Sequence, residues 1–347
     1  KRQVLRREKY IQPVTVSGEL PVYEQPKKPT MAELEHLLIE RGLKIKLRKI
    51  LHGGYMSHVY SGDMDGKSIV VKYTGDTFPT DPTSFFIGRE IQNTDAKVLT
   101  LLRDSEKVRV PRVYAHFPDI TTTVMEDLNE EEFELFISKI HDKSLTVDSA
   151  QPVGSAMAHL AIESRKWKEF DTDQSAHQNI YDRGLELRMA YPNSQAEYLA
   201  LENRFTSDVN KRWIWVDGTP KNVLLNPNFQ PAFIDFGLSC FADQQHTLPG
   251  FLSHLAVYLL SGILDRSMVL TYLGKAVDGY DSVDYLDEEA FCEYFGMEVL
   301  HRSMGKRVPG IDKASQKIAL LEFGLRVFDD NISTVGALIR LLATSGK

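Results

Sequence analysis

Apolar residues along this chain fall into two regimes. Up to about position 127 they sit in short β-branched runs separated by turn residues, and beyond it they recur mainly at helical spacing. Thr30 followed by Glu33 predicts a capping box, and Leu34, Leu37, Leu38 and Leu43 give the helix that follows an apolar face. The run Ser68-Ile69-Val70-Val71-Lys72-Tyr73 reads as a strand, and Ile87, Ile91, Val98 and Leu102 as one face of a helix. A second strand-rich stretch from Thr121 ends at Val124-Met125-Glu126-Asp127-Leu128. Downstream, Phe133, Leu135, Phe136, Ile137 and Ile140 predict a helix, with further helices over 153–162 and 196–205 and a strand over 213–216. Residues 223–225 and 233–234, separated by Asn226-Pro227-Asn228, predict a short hairpin. Two long buried helices are predicted over 251–264 and 318–342. The fold class is therefore α+β in two lobes. Residues 1–44 form an N-terminal extension with a leading helix, 45–127 a β-rich small lobe with one main helix, and 128–347 a large, mostly helical lobe.

Composition supports this division and excludes several function classes. With 347 residues, 42% of them hydrophobic, the chain can fill two cores of ordinary size. A net charge of −7 argues against general nucleic-acid binding. The first 30 residues lack an apolar signal segment, and the longest apolar stretch, near Leu255 to Leu264, is too short to span a membrane and is interrupted by Ser261 and Gly262. Cys240 and Cys292 show neither metal nor disulfide spacing, which fits a reducing cytoplasm, and Cys240 reads as a buried filler. Lys1, Arg2, Arg6, Arg7 and Lys9 against Glu8 make a basic arm in an extension reaching to about residue 30.

Candidate chemistry centres on Trp215-Val216-Asp217-Gly218-Thr219-Pro220-Lys221-Asn222, followed by Asp235-Phe236-Gly237. Asp217 precedes Asn222 by five positions, the spacing of a base and a metal ligand in phosphoryl transfer, and the predicted hairpin returns Asp235 to the end of the sheet that holds Asn222. Upstream, Gly53, Gly54 and Ser57 lie in a loop whose amides could approach phosphate oxygens. Lys72 follows on a strand and Glu90 on a helix that can reach it, while the backbones of Glu126 and Leu128 are candidates for gripping adenine.

These residues resemble the protein-kinase-like superfamily, and more closely its aminoglycoside phosphotransferase and choline kinase branch. The motifs that carry the resemblance span residues 46–265. From Asp127 to Asp217 there are 90 positions, room for the extra helices with which that branch shapes a small-molecule pocket. Asp217-Gly218-Thr219-Pro220-Lys221-Asn222 is similar to the Gly-Asp-x-Ser-Pro-Lys-Asn version of the loop, and no Ala-Pro-Glu follows Asp235. The resemblance implies a bilobal protein-kinase-like fold with ATP between the lobes and Lys72, paired with Glu90, on its phosphates. It further implies Mg²⁺ on Asn222 and Asp235, and Asp217 as the base that accepts the proton of a small-molecule hydroxyl. Trp215 and Val216 stand where the family has His-Gly, and Trp215 offers one donor, its indole N–H, in place of a His that steadies the loop. An atypical protein kinase and a nucleotide-binding module without turnover remain alternative readings.

Acceptor identity is weakly encoded. Glu126, Asp127, Glu130, Glu131, Glu132 and Glu134 would attract a cationic acceptor, an amino sugar or amino alcohol, if they faced the cleft. Acids in the first turn of a helix more often sit in water. Trp167, Tyr181, Tyr191 and Tyr198 could line a cation-binding box or, at helical spacing, a core. His159, His177, His246 and His254 show no metal-ligand pairing.

Overall fold

A computed structural model describes residues 29–51, 57–75, 77–78, 81–85, 88–167, 200–201, 203–205, 211–304, 311 and 313–346. The glycine loop at 53–54, the basic arm, and Tyr181, Tyr191 and Tyr198 lie outside these residues.

The chain enters through α1 (Met31–Glu40), where the expected capping box forms: the Glu33 N–H donates to Thr30 Oγ1 and the Thr30 N–H to Glu33 Oε2. Strands β1 (Ile45–Leu51), β2 (His58–Met64) and β3 (Lys67–Tyr73) form an antiparallel meander. After the small β4 (Thr77–Phe78) and β5 (Asp81–Phe85) ribbon comes α2 (Gly88–Leu102), and then β6 (Val113–Phe117) and β7 (Thr122–Glu126) complete the sheet in the order β1-β2-β3-β7-β6. Alternation along β3 sends Ile69 and Val71 to one face, where they pack with Leu34 and Leu38 of α1, Leu47, Tyr60 and Val124. The leading helix is thus part of the small lobe's core. Lys72, one residue out of phase, emerges on the opposite face.

The large lobe begins with β8 (Glu134–Leu135) and α3 (Phe136–His141), so part of the helix expected around Phe133 is a strand paired with β10. Then follow α4 (Ala150–Ser164), β9 (Lys211–Ile214), β10 (Val223–Leu225), β11 (Pro231–Phe233) and β12 (Cys240–Asp243). Helices α5 (Thr247–Leu260), α6 (Arg266–Asp281), α7 (Glu288–Met304), α8 (Ala314–Asp329) and α9 (Val335–Thr344) complete it. Every residue of α5 is buried, as its apolar circumference requires. The expected single helix over 318–342 is instead two helices. Asn331 adopts a left-handed φ of 49°, and Thr334 caps α9 by accepting the Ala337 N–H at 3.3 Å. Helices α4 and α6 cross at Gly154 and Gly279. A Cβ at the first would lie 1.9 Å from the Ala276 carbonyl oxygen, and one at the second 2.4 Å from that of Gln151, so only glycine permits this approach.

Candidate active site

The β10–β11 hairpin positions the two metal-type residues. Asn226 Oδ1 accepts the N–H groups of Asn228 and Gln230, closing the turn, and Val223 pairs with Phe233. Beyond the strands, the Ile234 N–H donates to the Asn222 carbonyl at 3.0 Å, so Asn222 and Asp235 leave the same end of the hairpin.

In the loop before β10, Asn222 Nδ2 donates to the Asp217 carbonyl at 2.8 Å and to Asp217 Oδ2 at 3.0 Å. The N–H of Thr219 also donates to that carbonyl, at 2.8 Å. Lys221 Nζ stands 3.4 Å from Asp217 Oδ2. Burial raises the Asp217 carboxyl above its ordinary value of 3.8, against the opposing pull of Lys221. This is the direction a general base needs to move to work nearer neutral pH.

Asp235 sits at a left-handed φ of 61°, an uncommon conformation for a residue with a side chain. Trp215 secures it: its indole N–H donates to the Asp235 carbonyl at 3.0 Å, while the ring packs against Phe233 and Phe236 with centroids 5.2 and 5.3 Å away. The residue that departs from the family pattern therefore supplies a donor to the Asp-Phe-Gly backbone.

Lys72 places Nζ 2.7 Å from Asp235 Oδ1 and 2.7 Å from Asp95 Oδ2. Asp95 Oδ1 accepts the Phe236 N–H at 2.8 Å. Among the described residues the helix partner of Lys72 is thus Asp95, while the side chain of Glu90, the expected partner, lies outside them. The packing gives the reason. Gly237 sits so close to α2 that an added Cβ would lie 2.4 Å from Ile91 Cγ2, which brings the helix face bearing Ile91 and Asp95 against the Asp-Phe-Gly loop. Asp95 falls on the same 91, 95, 98, 102 stripe as the apolar residues, and an acid on a buried stripe is the signal that identifies it. Burial alone would lower the Lys72 pKa, but the two carboxylates, Asp235 first, raise it above its ordinary value and keep the ammonium charged. Burial likewise favours a raised carboxyl at Asp235, but Lys72 outweighs it and the pKa falls. Asp95, almost wholly buried, is raised by desolvation.

Ser57 turns its hydroxyl inward, 2.7 Å from Thr74 Oγ1, which donates to Gln92 Oε1 on α2; Gln92 in turn donates to Thr123. Its side chain is thus engaged inside the lobe. At the end of β7, the Glu126 N–H donates to the Arg112 carbonyl at 2.9 Å and its carboxylate holds Arg109 Nη1 at 2.9 Å. Leu128 is buried and its carbonyl accepts the Phe133 N–H. The neighbouring acids are likewise engaged: Glu131 pairs with Arg109, Glu134 with Lys139, and Glu130 accepts the Ser68 N–H. Trp167 packs edge-on against Trp213, with centroids 4.7 Å apart, as a core residue. Cys240 is buried on β12.

The oxygen donors fit a hard cation. With Lys72 on Asp235 Oδ1 and the Asn222 amide nitrogen turned to Asp217, Asp235 Oδ2 and Asn222 Oδ1 are the atoms that could ligate a metal, a carboxylate and a carbonyl of the kind Mg²⁺ takes alongside phosphate and water. Among the described residues there is no cluster of three or more His, Cys, Asp or Glu suited to a metal ion.

No protein-family model matches the chain, and no curated protein matches it in sequence. Among solved structures it is similar to the amicoumacin kinase hAmiN in complex with AMP-PNP, Ca²⁺ and Ami. The identity is 12% over 87% of this chain and 95% of that one, with a TM-score of 0.51. An aminoglycoside phosphotransferase from Alicyclobacillus acidocaldarius aligns at 15% identity over 85% and 91% of the two chains, with a TM-score of 0.47. Choline kinase LicA from Streptococcus pneumoniae aligns at 13% over 86% and 99%, with a TM-score of 0.42. The first of these establishes the class of fold: this chain has the bilobal kinase-like fold.

Proposed function

We propose that this protein is an ATP-dependent phosphotransferase that moves the γ-phosphate to a hydroxyl of a small metabolite. The observation that carries this is one constellation. Lys72, Asp95 and Asp235 are joined on the nucleotide side, and Asp217 is held by Asn222 on the other, with both ends fixed by one hairpin.

Lys72 orients the α- and β-phosphates, and Glu126 and Leu128 offer the adenine edge the backbone groups their other contacts leave, the carbonyl of one and the N–H of the other. Gly53 and Gly54 cover the phosphates. Asn222 and Asp235 would hold Mg²⁺, which would supply neutralisation of phosphate charge. The acceptor oxygen forms a bond to the γ-phosphorus as the bond to the bridging oxygen breaks. ADP leaves with that electron pair, and the hydroxyl proton passes to the Asp217 carboxylate.

A small acceptor is favoured over a protein substrate because β12 begins at Cys240 and α5 at Thr247, which leaves little chain after Asp235 for a peptide-binding segment. The expected acceptors are amino sugars, sugars and amino alcohols. Purified protein with ATP and Mg²⁺ should release ADP in the presence of at least one member of such a panel, and Asp217→Asn should abolish that release. Full activity in Asp217→Asn would overturn the assigned base.

A further inference from the structure

A chain of buried polar side chains joins α2 to the strands around Lys72. Gln92 and Asp95 lie three positions apart on α2 and so share a face. Asp95 takes Lys72, and Gln92 takes the two threonines that flank it. Thr74 continues β3 past Tyr73, its N–H donating to the Thr121 carbonyl at 3.0 Å, and stands two positions beyond Lys72 on the same side of the sheet. Thr123, on β7, is the cross-strand partner of Lys72. The Thr74 hydroxyl donates to Gln92 Oε1 at 2.5 Å, and Gln92 Nε2 donates to Thr123 Oγ1. Thr74, Gln92 and Thr123 expose no surface.

The chain runs on at both ends with one polarity. Thr74 gives its single hydroxyl proton to Gln92, so it accepts from Ser57, 2.7 Å away. At the other end His116 Nε2 lies 2.9 Å from Asn93 Oδ1, an acceptor, so the ring proton is on Nε2 and Nδ1 accepts from the Thr123 hydroxyl at 3.0 Å. Burial lowers the His116 pKa from its ordinary 6.5, in keeping with an uncharged ring. Asn93 returns the chain to α2. None of these side chains has a buried nitrogen or oxygen without a partner. An apolar residue at 92 would fill the space but tolerate small slides and rolls of the helix. Directional bonds to two strands allow one seat, and a polar chain of this kind holds it because each broken link leaves a buried group unpaired. It is the seat at which Asp95 reaches Lys72 with one oxygen and the Phe236 N–H with the other.

We propose that Gln92 is a positioning residue for nucleotide use: by clasping Thr74 and Thr123 it sets the height and roll of α2 at which Asp95 holds Lys72 ready for the phosphates. The proposal rests on the phosphotransfer assignment.

The test is the Kd of the full chain for ATP in the presence of Mg²⁺, titrated well below the melting temperature, which needs no acceptor. Gln92→Met keeps the length of the side chain and removes both bonds. It should weaken ATP binding about 3- to 10-fold. Added to Asp95→Asn it should weaken binding by less than about twofold more than Asp95→Asn does alone, because both changes act on the same lysine. A residue that only holds the lobe together would lower the melting temperature and leave Kd at the wild-type value. That result overturns the proposal and leaves phosphotransfer standing. Losses that multiply in the double variant overturn it equally, since Gln92 would then act apart from Asp95. If Gln92→Met does not fold, Thr74→Val carries the test: it keeps the shape of the side chain, removes the hydroxyl that donates to Gln92, and should raise Kd about threefold with the same lack of additivity. A wild-type Kd in Thr74→Val would then overturn the proposal. A wild-type chain that binds no ATP overturns the nucleotide reading itself, and the role of Gln92 with it.

Discussion

The indole N–H of Trp215 donates to the backbone carbonyl of Asp235 across 3.0 Å, joining the strand before the catalytic loop to the residue that carries the metal-type carboxylate. Asp235 is in a left-handed conformation that costs about 1–3 kcal/mol unless its surroundings impose it. Trp215→Phe keeps the ring packing and deletes the donor. We expect kcat to fall about tenfold and stability by about 1 kcal/mol, read by ADP release and thermal unfolding. Unchanged kcat in this variant would show that the bond does not set the loop.

Asp217→Asn separates stability from activity. Burial raises the folded pKa of this carboxyl above 3.8, so its stabilising contribution is complete below 3.8 and is lost as pH rises through the folded value. At neutral pH the ionised group costs stability, and the amide does not. The variant should lose transfer activity about a hundredfold or more while melting at a higher temperature than wild type. The gap in melting temperature should close as pH falls, and a lower melting temperature at neutral pH would contradict the account.

The acid limb of kcat should report Asp217 and not Asp235. Lys72 holds the Asp235 carboxyl below its ordinary value, so Asp235 gives stability above 3.8 that is lost only as pH falls through the depressed value. Activity should therefore fall on the acid side at a pH above 3.8, with Asp235 still ionised. A kcat that stays flat down to pH 4 would argue against Asp217 as base.

Asp95→Asn should weaken ATP use far more than Glu90→Gln. The first change removes a charge that holds Lys72 and alters the acceptor of the Phe236 N–H. We expect about a tenfold rise in KM for ATP in Asp95→Asn and a change within twofold in Glu90→Gln. The reverse order would restore Glu90 as the partner of Lys72.

Gly237→Ala probes the contact between α2 and the loop. The added methyl meets Ile91 Cγ2 at 2.4 Å and the Ile91 carbonyl oxygen at 3.0 Å, so the loop or the helix must shift, at about 1–3 kcal/mol. Adding Ile91→Ala relieves the side-chain clash and leaves the backbone one, and should recover part of the melting temperature and activity.

Much of this arrangement was legible in the sequence because it depends on local order. The two-lobe division follows from apolar periodicity, the capping box from Thr30 and Glu33, and the hairpin that gathers Asn222 and Asp235 from its turn residues. Less legible were features that depend on rotation or long-range packing. Asp95 is one of several acids on its helix, and the close approach of that helix to Gly237 is what brings it to Lys72. The break between α8 and α9 was marked by Asp329-Asp330-Asn331 and Thr334, polar residues inside an otherwise apolar pattern.

Asp95 uses one carboxylate oxygen on a small-lobe lysine and the other on a large-lobe peptide N–H. The helix that bears it cannot slide or roll by a fraction of a turn without releasing both. The seating of α2 and the conformation of the metal loop are therefore one mechanical coordinate. On the proposed function, nucleotide phosphates that drew Lys72 toward themselves would pull on the Phe236 backbone through a single side chain. Occupancy of the cleft would then be felt at the loop that carries Asp235 before any acceptor arrived.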